Sequence, residues 1–264
     1  LGQVTAKAID ASAATGIVSA SNGTGGAASV TSITTGTGKD TLTTNTTSVI
    51  RINSNSGDDI ITLTAAGATS EIVTADGNDT VNIASATATA AFVVSTEAGD
   101  DIVSIDGAVN AVLVAGDGTD TLKVTGDADF TSKNNFTFSG FEKLDLNGAN
   151  IAVTLTAAQF ANNSTLEING DAADDTLTIV AASTGSVIDG SNLTIKSGAT
   201  ATINYTGSAK ADTITGGAAN ENFTQTEGAD SYEGGAGTDT ITLAALTLTD
   251  EDSIGSVINL GTTA

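Results

Sequence analysis

The chain has 264 residues, with 31 acidic and 8 basic side chains and a net charge of −23, a balance that opposes binding to nucleic acid or anionic membrane surfaces and favours cations as partners. It has no cysteine and no histidine, which excludes disulfides, thiolate or imidazole metal sites, and Ser-His-Asp or Cys-His catalysis. Hard oxygen ligands remain, and these point to calcium.

Hydrophobic residues make up 39% of the chain but aromatics only 3%, with no Trp, Met or Pro. Small residues of this kind suit the thin, regular interior of stacked coils. No run of about 18 apolar residues occurs, so no membrane insertion is expected. Leu1 is not an initiator methionine and no basic-then-apolar leader is visible, so the chain is expected to be a processed product or a piece of a longer one.

Residues 1–33, rich in Ala, Ser, Thr and Gly, read as N-terminal strands leading into a solenoid that begins near residue 34. From there a core G-x-D-x-U-x-U, with U a large apolar residue, recurs through residue 126. It appears in Gly38-Lys39-Asp40-Thr41-Leu42, Gly57-Asp58-Asp59-Ile60-Ile61, Gly77-Asn78-Asp79-Thr80-Val81, Gly99-Asp100-Asp101-Ile102-Val103 and Gly118-Thr119-Asp120-Thr121-Leu122. The aspartates at 40, 59, 79, 101 and 120 are separated by 19, 20, 22 and 19 residues, a coil length of a solenoid. A second apolar stretch lies in each interval, at Val49 to Ile52, Ile72-Val73, Phe92 to Val94 and Val112 to Val114. Each coil therefore holds two strands and two turns. Parallel stacking would place these aspartates in a row.

Residues 127–168 break the period and hold five of the seven phenylalanines. They are expected to form an insertion or cap, with one helical turn at Ala157 to Ala161 behind the capping box Thr156-Ala157-Ala158-Gln159. Residues 169–264 read as a second block. It opens with Asp171 and Asp175, and then Asp212, Glu221, Asp230 and Asp239 follow at steps of nine. Eighteen residues would complete a coil, placing Asp212 over Asp230 and Glu221 over Asp239. The stretch Gly234-Gly235-Ala236-Gly237-Thr238-Asp239-Thr240-Ile241-Thr242 matches the nine-residue calcium repeat G-G-x-G-x-D-x-U-x. The tail from Leu246 reads as a further coil or the start of another domain.

Calcium takes 6 to 8 oxygen ligands, and one turn supplies too few. Two stacked turns, each giving glycine-region carbonyls and a carboxylate, complete a shell, so the motif must recur at coil spacing. The candidate ligand positions are Asp40, Gly57, Asp59, Asp76, Gly77, Asp79, Gly99, Asp101, Asp117, Gly118, Asp120, Asp171, Asp175, Asp212, Glu221, Asp230, Gly235, Gly237 and Asp239. In the doublets Asp58-Asp59 and Asp100-Asp101 the second acid ranks higher. Ordinary Asp-Gly turns are the alternative. The Thr-x-Thr triplets suggest an ice-binding face interrupted at Asn82, Ser104 and Lys123. A carboxylate-pair β-helix glycosidase has no visible substrate cleft to support it, so no enzyme is expected.

The nine-residue repeat, its degraded neighbours and the G-x-D series resemble the RTX, or repeats-in-toxin, proteins of Gram-negative bacteria, over about half the chain. The Ala and Thr richness and the stretch Phe138 to Leu146 look like surface-layer proteins and large adhesins of that group. The resemblance implies an all-β, right-handed parallel β-helix or β-roll, elongated, with calcium as cofactor. It also implies type I export, folding in extracellular calcium, and a place on the bacterial cell surface. Self-association into a lattice is the leading expectation, with cell-surface polysaccharide as a further partner. An adhesin or biofilm-matrix module is the other reading.

Overall fold

A computed structural model describes residues 8–22, 30–46, 50–66, 70–84, 91–146, 148, 150–163, 165–171, 175–243 and 257–259. It is an all-β parallel solenoid of about 9 turns, 49% strand with almost no helix. The strands in the first half are β1 (Ala8–Asp10), β2 (Ser19–Asn22), β3 (Ser32–Thr34), β4 (Thr41–Thr46), β5 (Arg51–Asn53), β6 (Ile60–Ala66), β7 (Ser70–Val73), β8 (Thr80–Ile83), β9 (Ala91–Ala98), β10 (Ile102–Ile105), β11 (Asn110–Asp117) and β12 (Thr121–Val124). There follow β13 (Ala128–Asp129), β14 (Thr137–Ser139), β15 (Lys143–Asp145), β16 (Ala152–Thr156), α1 (Ala157–Phe160), β17 (Leu166–Asn169), β18 (Thr176–Val180), β19 (Val187–Asp189), β20 (Leu193–Ile195), β21 (Thr202–Thr206), β22 (Thr213–Thr215), β23 (Glu221–Thr224), β24 (Ser231–Glu233), β25 (Thr240–Thr242) and β26 (Val257–Asn259).

The chain divides into two compact units, Leu1–Thr125 with Lys133–Lys143, and Gly126–Ser132 with Leu144–Ala264. In the first unit, consecutive strands fall alternately into two parallel sheets. One has the order β1-β3-β5-β7-β9-β11-β14, and the other contains β2-β4-β6-β8-β10-β12. Registers are in step with the aspartate spacing, as in Ile61↔Val81 and Val81↔Val103, and then Val103↔Leu122. Period-two alternation turns that row inward, and all four side chains are buried. The facing sheet contributes Ile33, Ile52, Ile72, Val94, Leu113 and Phe138, also in register and buried. Burying such a branched or aromatic side chain stabilises by about 1.5–3 kcal/mol each, so the interior is built from two buried apolar ladders.

The second unit is built on the sheet β13-β16-β18-β21-β23-β25, with β19-β22-β24-β26 and a ladder including β17-β20. Its inward row runs Leu155, Ile179, Tyr205, Phe223 and Ile241. Tyr205 stacks on Phe223 at 5.2 Å, and Tyr232 meets Phe223 edge-on at 6.0 Å. The predicted helical turn is present. Thr156 caps α1, accepting from the Gln159 N–H while the Gln159 side chain accepts from the Thr156 N–H. Most of the tail lies outside the described residues, including Asp250-Glu251-Asp252, and β26 pairs with β24 there.

Candidate metal-binding turns

In the first unit every coil turns into the β4-β6-β8-β10-β12 ladder through an aspartate directly before the strand. Asp40, Asp59, Asp79, Asp101 and Asp120 are all buried. The Val18 N–H donates to Asp40 Oδ1 at 2.7 Å, Asp40 N–H to Asp59 Oδ1 at 2.7 Å, and Asp59 N–H to Asp79 Oδ1 at 2.7 Å. Asp79 N–H continues to Asp101 Oδ1 at 2.7 Å, and Asp101 N–H to Asp120 Oδ1 at 2.8 Å. Asp120 N–H ends the series on Glu142 Oε2 at 2.8 Å. One carboxylate oxygen per coil thus locks the stacking of adjacent turns.

The other oxygen does not share in this. Oδ2 of Asp40, Asp59, Asp79, Asp101 and Asp120 is buried and accepts no hydrogen bond of normal geometry, although the Ser54, Thr74 and Thr96 hydroxyls stand close enough to Asp59, Asp79 and Asp101 to favour their ionised forms. A buried, unpaired carboxylate oxygen is costly, and the titration reflects it. Burial pushes Asp79 up to about 7, opposed by the Asp59 N–H and the Thr74 hydroxyl and reinforced by the Asp101 and Asp59 carboxylates. Burial likewise raises Asp120 to about 6, and it raises Asp59 and Asp101.

Counting back from each aspartate shows a shared turn that is complete at Asp59, Asp79 and Asp101 and partly kept at Asp40 and Asp120. Two residues before it stand Gly57, Gly77, Gly99 and Gly118, with φ of 125°, 135°, 140° and 148°. At Gly77 a Cβ would lie 2.3 Å from the Gly57 carbonyl oxygen, and at Gly99 it would lie 2.0 Å from that of Gly77. Glycine is therefore required for both angle and space. Four residues before come Asn55, Ala75 and Glu97, all left-handed at φ 57°, 67° and 69°. Gly235, the equivalent residue before Asp239, is left-handed too, at φ 90°. Five before, where Asp239 has Gly234, stand the buried hydroxyls Thr35, Ser54, Thr74 and Thr96. Thr35 Oγ1 donates to the Ser54 carbonyl at 3.0 Å and Thr74 Oγ1 to that of Thr96 at 3.3 Å. The spacing alone holds this signal, a Ser or Thr five residues ahead of the acid, but Ser and Thr abound throughout the chain. Glu142 escapes the sequence reading as well, because a glutamate replaces the aspartate there, although Gly140 stands two residues before it at φ 77° and Leu144 and Leu146 follow at the usual offsets.

The remaining predicted residues are distributed differently. Asp76 and Asp117 expose their side chains, while their carbonyls accept from Gly57 and Gly99 N–H. Asp58, Asn78 and Asp100 form an outer ladder, each accepting from the next coil's N–H at Asn78, Asp100 and Thr119. In the second unit, Asp212 Oδ1 accepts from Ser186 N–H, and Asp230 Oδ1 from Asp212 N–H at 2.9 Å. Glu221 N–H donates to Asp239 Oδ1 at 3.0 Å, so the eighteen-residue stacking expected for both pairs is present. Asp175 Oδ1 accepts from Ile151 N–H at 2.8 Å. Asp171 is exposed, and its carboxylate accepts from Gly148 N–H. A Cβ on Gly235 would meet the Gly217 carbonyl oxygen at 2.3 Å, and one on Gly237 that of Ala219 at 2.0 Å. Glu221 Oε2 and Asp239 Oδ2 are buried without partners, and burial with the Asp239 carboxyl beside it raises Glu221.

The described residues contain no group of three or more acidic side chains gathered for a metal. A cation here would take one carboxylate oxygen per turn and fill its shell from backbone carbonyls. The donor set fits a hard cation on those terms: an unpaired anionic oxygen per coil, in glycine turns whose carbonyls pack against the next turn. Compared with known protein families, characterised proteins and solved structures, the chain matches none.

Proposed function

We propose that this chain belongs to a calcium-dependent structural protein of the bacterial cell surface, a self-assembling surface-layer subunit and not an enzyme. One observation carries the reading: a row of buried aspartates at coil spacing, each with one oxygen locking the stack and one without a partner. Asp40, Asp59, Asp79, Asp101 and Asp120 would hold calcium along the first unit, and Glu221 with Asp239 in the second. Bound calcium supplies charge neutralisation and a bridge between successive turns. Folding is then linked to extracellular calcium, which suits export of an unfolded chain into a medium where the ion is plentiful.

Assembly is supported by the outer face of the first unit. Val93 and its register partner Val112, with Val114, are 38–40% exposed on adjacent strands β9 and β11, an apolar patch suited to a neighbouring subunit. Far-ultraviolet circular dichroism in chelator and then in calcium tests the first half of the proposal, with a gain of strand signal and melting temperature expected. An unchanged spectrum and melt would reject calcium-linked folding. Electron microscopy after adding millimolar calcium tests the second half. Ordered sheets support the surface-layer role, whereas folded monomers that bind glycan or cells would favour an adhesin.

A further inference from the structure

The acids at these turns fall into two sets according to what holds the second oxygen. In Asp40, Asp59, Asp79, Asp101, Asp120, Glu221 and Asp239 no hydrogen bond of normal geometry does, although the Ser54, Thr74 and Thr96 hydroxyls stand beside Asp59, Asp79 and Asp101 and Oε1 of Glu221 accepts the Gly217 N–H at 3.1 Å. In Asp212, Oδ2 accepts both the Ser208 N–H at 2.6 Å and the Ser208 hydroxyl at 2.9 Å. Oδ2 of Asp175 accepts the Asp171 N–H at 2.9 Å, and Oδ2 of Asp230 accepts the Tyr232 hydroxyl at 3.1 Å.

We propose that cation demand is confined to the first set, and that Ser208, Tyr232 and the Asp171 amide are built-in replacements for the cation at Asp212, Asp230 and Asp175. The idea rests on the calcium reading above and narrows it. A carboxylate oxygen has two lone pairs, and a donor hydrogen aimed at one takes the position a cation would use and opposes it electrostatically. At Asp212 both lone pairs of Oδ2 are taken. The space beside it is filled as well, because a Cβ on Gly207 would lie 2.6 Å from Thr226 Oγ1, 3.1 Å from the Tyr232 hydroxyl oxygen and 3.3 Å from Asp212 Oδ2. The Asp212–Asp230 stack leads directly into β22 and β24, which pair in register. That edge of the second unit therefore carries its own neutralising donors, and in the first unit's acid row no donor makes a hydrogen bond of normal geometry to Oδ2.

Hydrogen exchange read by mass spectrometry on the full chain, in EGTA and in calcium, tests the partition. With calcium at about 100 times its dissociation constant, protection of Ile60–Ala66, Thr80–Ile83 and Ile102–Ile105 is expected to be about 100-fold greater than in EGTA. Thr213–Thr215 and Ser231–Glu233 are expected to keep their protection in EGTA. Loss of protection in both regions alike overturns the partition and leaves calcium-linked folding standing. Unchanged protection everywhere overturns calcium-linked folding and the partition with it. Tyr232→Phe keeps the ring against Phe223 and removes only the donor. It should make protection of Ser231–Glu233 calcium-dependent, and loss of that protection with or without calcium would reduce Tyr232 to a packing residue and refute the assignment.

Discussion

Replacing Asp79 with asparagine separates the two roles of the carboxylate. The amide side chain keeps an oxygen to accept the Asp59 N–H, now 2.7 Å from Asp79 Oδ1, and loses the charge carried at the unpaired Oδ2. Asp79 is 1% exposed and raised from 3.8 to about 7. That interval of about three pH units corresponds to about 4 kcal/mol of disfavoured ionisation at pH 8. The new amide N–H₂ must find acceptors, and leaving it buried without one costs about 1–3 kcal/mol. In chelator at pH 8, Asp79→Asn should therefore stabilise by about 1–3 kcal/mol. In saturating calcium the same change removes an anionic ligand, so the sign should reverse. Urea melts of the parent and the variant, each in EGTA and in calcium, read both signs. A variant that is less stable by the same amount in both media would refute the reasoning, because Oδ2 would then be neither an uncompensated charge nor a ligand.

Three further outcomes follow from the same geometry. In chelator, stability should be full below about pH 4 and fall as pH rises through about 6 and 7, because folding raises Asp120 and Asp79 and so favours their protonated forms; melting temperatures in EGTA from pH 4.5 to 8.5 check this, and a rise with pH would contradict it. Ala75 sits at φ 67°, a left-handed conformation that strains a residue with a Cβ by about 1–2 kcal/mol. Ala75→Gly should stabilise by about 0.5–1 kcal/mol once glycine's greater unfolded-state freedom is set against the relief, as denaturant titration would show. Tyr205 is buried with its hydroxyl unpaired, so Tyr205→Phe should be neutral or stabilising by about 1 kcal/mol; a loss of stability that appears only in calcium would assign the phenol a ligand role.

The solenoid is legible because its two signals are local and repeated. An aspartate followed by alternating apolar residues fixes both where a strand starts and which side chains point inward, and Leu42, Ile61, Val81, Val103 and Leu122 recur at that offset. The pairing of Asp212 with Asp230 and of Glu221 with Asp239 follows from spacing alone. Less legible is which acids are satisfied internally. Ser208 lies four residues before Asp212, the spacing also seen from Asp171 to Asp175 and from Gly217 to Glu221, and Tyr232 lies two after Asp230; no residue type marks these positions, so only their hydrogen bonds distinguish them. The phenylalanine-rich stretch reads as an insertion because a glutamate stands where the aspartate would follow its glycine, Gly140. Phe138 nevertheless stands in register with Leu113, and Glu142 takes the place of the next aspartate on Asp120.

The division of labour within each carboxylate also explains why the motif works as a series and not as a single loop. Oδ1 accepts from the preceding coil's turn, so each acid holds its neighbour's backbone in place before it can serve a ligand. Such a chain of charge-assisted bonds is stronger than neutral ones, and it gathers five buried carboxylates along one edge of the unit. The stack that orders the coils therefore also concentrates the charge that opposes them, through burial and through neighbours such as Asp59 and Asp101 on Asp79. Protons relieve this at low pH, and a divalent cation would relieve it where protons cannot. Repeating the turn raises the demand for such a cation in proportion to the number of coils, so a longer acid row makes folding more steeply dependent on the medium. A turn with its own donor at Oδ2, as at Asp212, adds a coil without adding to that demand.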